Sequence, residues 1–401
     1  MQNIIVLKPY RFVPPYLSPF WIRSLGFYLP LNLRREWGLH TLEYRGTEHL
    51  KASLAAGHGL ILAPNHCRPF DPLTVGMLGG HMRQPFFTMA SWHLFMEGRF
   101  KRWLIRRIGG FSIYREGVDR EALKAATALL VDARRPLVMF AEGVISRTND
   151  RINPLQDGAA FIARAAAKVR ARANPPGKVV VHPVFLRYYF EGDLAASVTP
   201  VLEEIEKRLS WRSQKHLSLF QRVRKIGAGL LALKEVEYLG EPQPGSIAER
   251  LSALIEHVLA PLEKEWLGGY RDPSVIERVK RLRMAIVPEM ITGKLSEEEI
   301  ARRWRKLGDA YLAQQLYCYP PDYLTEASPP ERLLETVERF EEDLDDVARI
   351  HRPLRVVISI APAIEVNPTR ERGAAEDPLM KQVRESLEQM MLATRREARP
   401  L

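Results

Sequence analysis

The chain has 401 residues, 46% of them hydrophobic and 27% charged, a balance that excludes a disordered or fibrous protein and allows one large domain or two ordinary ones. Its formal net charge of +11 points to an anionic partner: nucleic acid, an anionic membrane surface, or a phosphorylated or CoA-type substrate. Two cysteines, Cys67 and Cys318, are too few for a disulfide framework and fit a reducing compartment.

The first forty residues crowd Tyr10, Phe12, Tyr16, Phe20, Trp21, Phe27 and Tyr28 together with Arg11, Arg23, Arg34 and Arg35. Interfacial segments mix rings and cations in this way, because the rings sit at headgroup depth and the cations meet anionic lipid. The same composition also suits an arm packed on the core. No run approaches the roughly 18 apolar residues of a spanning helix, and the N-terminus lacks the pattern of a signal peptide. A lipid-directed protein of this kind is expected to lie on a membrane rather than cross it.

Strand and helix then alternate up to about residue 190. Residues 59–63 are a short apolar run ending at Pro64, which suits a buried strand. A helix is expected to start at Asp71 and to end at Gly79 and Gly80. Residues 86–89 predict a second strand, 92–108 a basic helix, and 111–114 a third strand. Asp119 can cap a helix over 120–133. Residues 136–140 predict another buried strand, 158–169 an Ala-rich helix, and 179–186 a last strand in the series. The alternation predicts an α/β domain with a mostly parallel sheet flanked by helices, with its chemistry at the C-terminal ends of the strands.

From residue 203 to 350 the chain reads as helix after helix, broken at Pro320-Pro321 and Pro329-Pro330. Residues 354–360 return to strand chemistry, and a final helix is expected over 378–395. The expected organisation is an aromatic and basic arm at 1–39, a core at 40–202, a helical insertion at 203–350, and the last strand and helix of the core at 351–401. A separate C-terminal helical region is the other arrangement, with residues 236–240 as the last sheet strand.

Four segments carry candidate chemistry. Asn65, His66 and Asp71 follow the first buried strand, so the imidazole stands at a strand end and the carboxylate can fold back onto it. A carboxylate on one ring nitrogen fixes the tautomer and leaves the other nitrogen to take a proton from a hydroxyl. A structural His beside a helix-capping Asp fits the same spacing. Residues 140–147 place Glu142, Gly143, Ser146 and Arg147 after the 136–140 strand. Residues 109–115 deliver Arg115 at a strand end. Residues 181–184 contain His182, which reads as a structural strand residue.

In this order and spacing the four segments resemble the glycerophospholipid acyltransferase family, of the lysophosphatidate acyltransferase type. That family carries NH-x4-D, G-x-[IF]-x-x-x-R, F-P-E-G-T-R-S and V-P-V blocks, and the resemblance covers roughly residues 40–190. It implies direct acyl transfer from acyl-CoA or acyl carrier protein to a glycerol hydroxyl, with His66 as general base and Asp71 as its orienter. The oxyanion is expected to meet backbone N–H groups near the first block. No resident cofactor or metal is expected. Asn65, Arg115, Glu142, Gly143 and Ser146 would hold the acceptor and its phosphate.

The third block departs from the family pattern at Ala141, Val144 and Ile145, the last replacing the usual phosphate-binding arginine. Arg147, two residues on, can substitute, since guanidinium matches phosphate geometry. A non-phosphate lipid acceptor fits the same change, and so does a non-catalytic membrane-associated scaffold. The partners expected are an anionic membrane surface, an acyl-thioester donor and a lysolipid acceptor, with no nucleic acid. The expected place is the cytoplasm, peripheral on the inner face of the cell membrane. Residues 99–107, where Phe100, Trp103 and Leu104 share a helical face flanked by cations, are a second membrane candidate.

Overall fold

A computed structural model of the chain describes all residues except 1–4, 6, 270, 370–375 and 399–401. It divides into two compact units, residues 10–191 with 350–398, and residues 192–349 together with the described residues before Tyr10.

The first unit opens with helix α1 (Pro19–Trp37), strand β1 (Leu39–Arg45), α2 (Thr47–Ala55), β2 (Gly59–Pro64) and α3 (Asp71–His81). It continues with β3 (Phe87–Ser91), a 3-10 turn (Trp92–Phe95), α4 (Arg99–Arg107), β4 (Gly110–Ile113), α5 (Arg120–Asp132), β5 (Leu137–Val138), α6 (Gly158–Ala171) and β6 (Val179–Phe190). The chain then leaves for the helical unit, α7 (Leu194–Arg208), α8 (Leu219–Leu239), α9 (Ile247–Leu267), α10 (Val275–Ile291), α11 (Glu297–Tyr317) and α12 (Pro330–Asp345). It returns as β7 (Leu354–Ile360), β8 (Ile364–Glu365) and α13 (Pro378–Arg395).

The strands form one sheet in the order β1-β7-β6-β2-β5-β3-β4, with β8 beside β6. All pairs are parallel except β6 with β7 and with β8. This is the mostly parallel, helix-flanked sheet that the alternating sequence predicts. β2 lies inside the sheet and is buried along its whole length, so its continuous apolar run has no solvent face to alternate with. The alanines of α6, among them Ala160, Ala163 and Ala166, are buried, and their short side chains let that helix pack closely against Ile61, Val181 and Phe185. Beyond β4 the sheet edge is covered by the segment before α1. The Ser112 N–H donates to the Val13 carbonyl at 3.1 Å, and the Val13 N–H donates to Ser112 Oγ at 2.8 Å.

The helical unit has its own core, in which Leu254 and Leu259 of α9, Leu282 and Ile286 of α10, and Leu307 and Ala310 of α11 are buried together. Buried guanidinium groups there are paired: Arg222 with Glu206, and Arg278 with Glu263. This unit begins at residue 192, ahead of residue 203, because α7 belongs to it.

Several local expectations change. α3 does not stop at Gly79 and Gly80 but runs through them to His81. Gly79 serves packing instead of termination, since a Cβ there would meet the Gln84 carbonyl at 3.2 Å and the Phe86 ring at 3.4 Å. The basic stretch 92–108 splits at Gly98 into the 3-10 turn and α4. The strand expected at 136–140 pairs only over Leu137–Val138, because the chain turns after Met139 and the Gly143 N–H closes back onto the Phe140 carbonyl at 3.2 Å. Residues 236–240 are the end of α8 rather than a strand. A Ser218–Gln221 capping box starts that helix, and Gly240, at φ 86°, ends it. Among the described residues no helix is long and apolar enough to cross a membrane.

Candidate active site

Parallel pairing brings β2 and β5 side by side with a common direction, so the segments that follow them emerge at the same edge of the sheet. β2 stops at Pro64, opposite Val184, while its neighbour β6 runs on to Phe190. The continuation of β6 pairs with β7 on one edge, and its other edge, left open where β2 ends, is covered by side chains. Asn65 Oδ1 accepts the Leu186 N–H at 2.7 Å and its Nδ2 donates to the Leu186 carbonyl at 3.2 Å.

The next residue, His66, meets Asp71 at the start of α3. Nδ1 lies 2.8 Å from Asp71 Oδ2. Because a carboxylate only accepts, the hydrogen sits on Nδ1. Nε2 makes no hydrogen bond to the described residues, and the ring is partly exposed and tilted over Phe140 at 4.3 Å between centroids. Asp71 is fully buried. Its Oδ2 also accepts the Arg68 N–H at 2.8 Å, and its Oδ1 accepts the Tyr188 phenol at 2.7 Å. Burial first, and then the charge of Asp71, push the Tyr188 phenol well above its usual value, so it keeps its hydrogen. An imidazole held in one tautomer with its other nitrogen uncommitted is able to take up a proton.

Glu142 is the second fully buried acid of the site. Its Oε1 accepts the His66 N–H at 2.8 Å, and its Oε2 accepts the Asn153 N–H at 3.0 Å. It thus ties the loop after β5 to the loop after β2. Burial pushes its pKa up to about 8, with the Asn153 and His66 amides pulling the other way. A second tie runs between the same loops, where the Ser146 N–H donates to the His66 carbonyl at 2.7 Å.

The resemblance assigned Asn65, Glu142 and Ser146 to the substrate, but their side chains turn inward. Asn65 binds Leu186, Glu142 binds backbone amides, and Ser146 Oγ donates to the Thr148 carbonyl at 3.1 Å. Arg115 crosses from the end of β4 to donate to the Gly143 carbonyl, joining the second and third blocks. Arg147 is partly exposed and sits at φ 59°, a left-handed backbone that non-glycine residues rarely adopt. Both nitrogens of buried His182 are taken: Nδ1 donates to the Ala361 carbonyl and Nε2 accepts from Ser53 Oγ, each at 2.9 Å.

Of the first-block amides, those of Asn65, His66, Arg68 and Asp71 are already hydrogen-bonded inside the protein. They are therefore not the oxyanion donors expected there. Among the described residues no group of three or more His, Cys, Asp or Glu side chains is arranged to hold a metal ion.

Sequence reasoning did not find Tyr188, Thr74, Asn149 or Asn153. Tyr188 lies on an apolar strand 117 positions from Asp71, and Asn149 binds both backbone groups of Tyr188 from 39 positions away. The one signal was compositional: a tyrosine and two asparagines whose polar atoms need partners when buried.

Residues 41–187 match the family model described as Acyltransferase. No match was found among curated proteins. The matched stretch contains the His66–Asp71 pair, Arg115 and the Glu142 loop, and in this part the chain is similar to the acyltransferase family.

Proposed function

We propose that the protein is an O-acyltransferase that moves a fatty acyl group from acyl-CoA or acyl carrier protein to the glycerol hydroxyl of a lysophospholipid. The observation that carries this reading is the His66–Asp71 contact at 2.8 Å with Nε2 uncommitted, inside an acyltransferase-family domain. The acceptor hydroxyl gives its proton to Nε2 as its oxygen attacks the thioester carbonyl carbon. The tetrahedral intermediate then collapses, the C–S bond breaks, and the thiol leaves with the proton that His66 returns.

Arg147, a partly exposed residue on a left-handed backbone, supports a role in holding an anionic headgroup, since such conformations gather at ligand-binding sites. A second reading, a lipid acceptor without phosphate, is favoured by Ile145 standing where the family carries its phosphate-binding arginine.

The membrane-surface reading draws on α1 and α4. Phe20, Phe27, Tyr28 and Leu31 of α1 and Phe100 of α4 are exposed. Trp21 and Trp103 join the two helices edge to face at 4.7 Å, and Arg107 lies over the Tyr16 and Trp103 rings. Rings of this kind suit the headgroup layer, and the cations of α4 suit anionic lipid on the cytoplasmic side.

The reading is tested by following thiol release from an acyl-thioester with a panel of lysolipids, phosphorylated and not. Release is expected only with an acceptor present and only with His66 intact, and Arg147→Ala is expected to raise KM for phosphorylated acceptors alone. Release without acceptor would make the protein a thioester hydrolase. No release with any acceptor would leave the scaffold reading.

A further inference from the structure

Tyr188 lies outside the residues matched by the family model, which end at 187, and outside all four sequence blocks. Its phenol is nevertheless fully buried against the base–carboxylate pair. The Oη–Asp71 Oδ1 distance is 2.7 Å, and Thr74 Oγ1, one turn along α3 from Asp71, lies 3.0 Å from the same Oη. The phenol has one hydrogen and the carboxylate only accepts, so the hydrogen goes to Asp71 and the Thr74 hydroxyl faces the oxygen lone pair. Tyr188 is held through both backbone and ring: Asn149 binds its N–H and its carbonyl at 3.0 Å each, and Phe70 meets its ring at 5.3 Å.

We propose that Tyr188 is a positioning residue for the base, holding Oδ1 of Asp71 so that Oδ2 is aimed at His66 Nδ1 and part of the carboxylate charge is drawn away from the imidazole. A carboxylate can rotate about its Cβ–Cγ bond, and a donor on each oxygen stops that rotation. The two oxygens share one charge, so a donor on Oδ1 weakens the pull of Oδ2 on the Nδ1 hydrogen. The other charged or titratable groups around this contact are Arg68, whose guanidinium is 5.6 Å from the Tyr188 ring centre, Cys67 beside it, and Glu142 on the His66 amide. The proposal rests on His66 acting as the base, but its first readout is spectroscopic and needs no turnover.

The test compares wild type, Tyr188→Phe, Asp71→Asn and the double variant by 15N-histidine NMR, with the His66 signals identified by their loss in His66→Ala. Tyr188→Phe is expected to move the His66 Nδ1–H resonance downfield, as the hydrogen bond to an unshared carboxylate charge strengthens. In the Asp71→Asn background the same change should move it far less, because the route through the carboxylate is gone. If the protein turns over lysolipid, the acid limb of the rate–pH profile of Tyr188→Phe should lie at higher pH and kcat should fall several-fold, with KM little changed. An unmoved His66 resonance in a folded Tyr188→Phe protein would overturn the proposal, as would an equal shift with and without Asp71. If Tyr188→Phe fails to fold, 3-fluorotyrosine installed at position 188 gives the converse test. Its stronger donor should move the resonance upfield, and no movement would overturn the proposal. A failed lysolipid assay with the expected NMR shifts would discard the acyltransferase chemistry and keep the positioning role.

Discussion

The side-chain amide of Asn65 binds both backbone groups of Leu186, accepting its N–H at 2.7 Å and donating to its carbonyl at 3.2 Å. Asn149 repeats the arrangement on Tyr188, two residues further along β6. Between them the two amides extend the pairing of β6 after β2 has ended at Pro64. An asparagine is needed because the task requires one donor and one acceptor on the same short side chain. The backbone is thereby released to turn, and His66 begins that turn.

Asn65→Asp should therefore be far from conservative. The carboxylate has no hydrogen for the Leu186 carbonyl and brings a second charge beside buried Asp71. A loss of about 2–4 kcal/mol is expected for a buried polar partner left unsatisfied next to a like charge. Denaturant unfolding of the purified variant measures it, and a loss within error of zero would contradict the pairing role.

Glu142 gives the protein a pH dependence with a definite sign. Its folded pKa is raised to about 8 from an ordinary value of 4.5, so between those values the folded state holds a proton that the unfolded chain has released. Stability contributed by this group therefore falls as pH rises from 4.5 to about 8, and is level outside that window. Glu142→Gln removes the titration. Its unfolding free energy should vary less steeply with pH across that range than that of the wild type. Parallel profiles would show that Glu142 is ionised in the fold.

Gly109 leads into β4 at φ 99°, and a Cβ there would come within 2.5 Å of the Phe86 carbonyl oxygen. That atom is backbone and cannot swing aside. Gly109→Ala should cost about 2–4 kcal/mol, the range of combined backbone strain and overpacking. It should also loosen Arg115, which follows β4. Thermal melts report the first effect, and faster proteolysis around residues 109–118 reports the second.

The exposed rings of α1 and α4 make a separable prediction. Phe27→Ser with Phe100→Ser should reduce flotation with anionic liposomes several-fold while leaving the melting temperature within a degree or two, because neither ring is buried. Salt should weaken the binding of both proteins, as expected for cations meeting anionic headgroups. Equal flotation of wild type and variant would remove these helices as the contact surface.

Much of the site was legible in the chain because its parts are local. A continuous apolar run marks a buried strand, and Asn65, His66 and Asp71 fall within one turn at its end. Asp119 capping α5 through the Ala122 N–H follows the same local logic. The helix–strand alternation sufficed for a mostly parallel sheet, since parallel neighbours need crossover connections. Boundaries were poorer where tertiary packing overrode a local signal. Gly79 and Gly80 read as a stop, yet α3 runs through them to His81, and at Gly79 the Phe86 ring packs where a side chain would be.

What the sequence by itself determined is the set of candidate groups and the elements that carry them: His66 at a strand end, Asp71 opening a helix, and Glu142 after a second strand. What only the tertiary structure decided is the direction in which each side chain faces. Glu142 looks like a substrate ligand in the sequence, but in the fold it binds the amides of His66 and Asn153. Tyr188 looks like one more ring in an apolar strand, but it donates to Asp71. The reason is physical. A buried polar atom must find a partner, and which partner it meets depends on strand register. β6 outruns β2 by several residues, and that overhang places Leu186 against Asn65 and Tyr188 against Asp71.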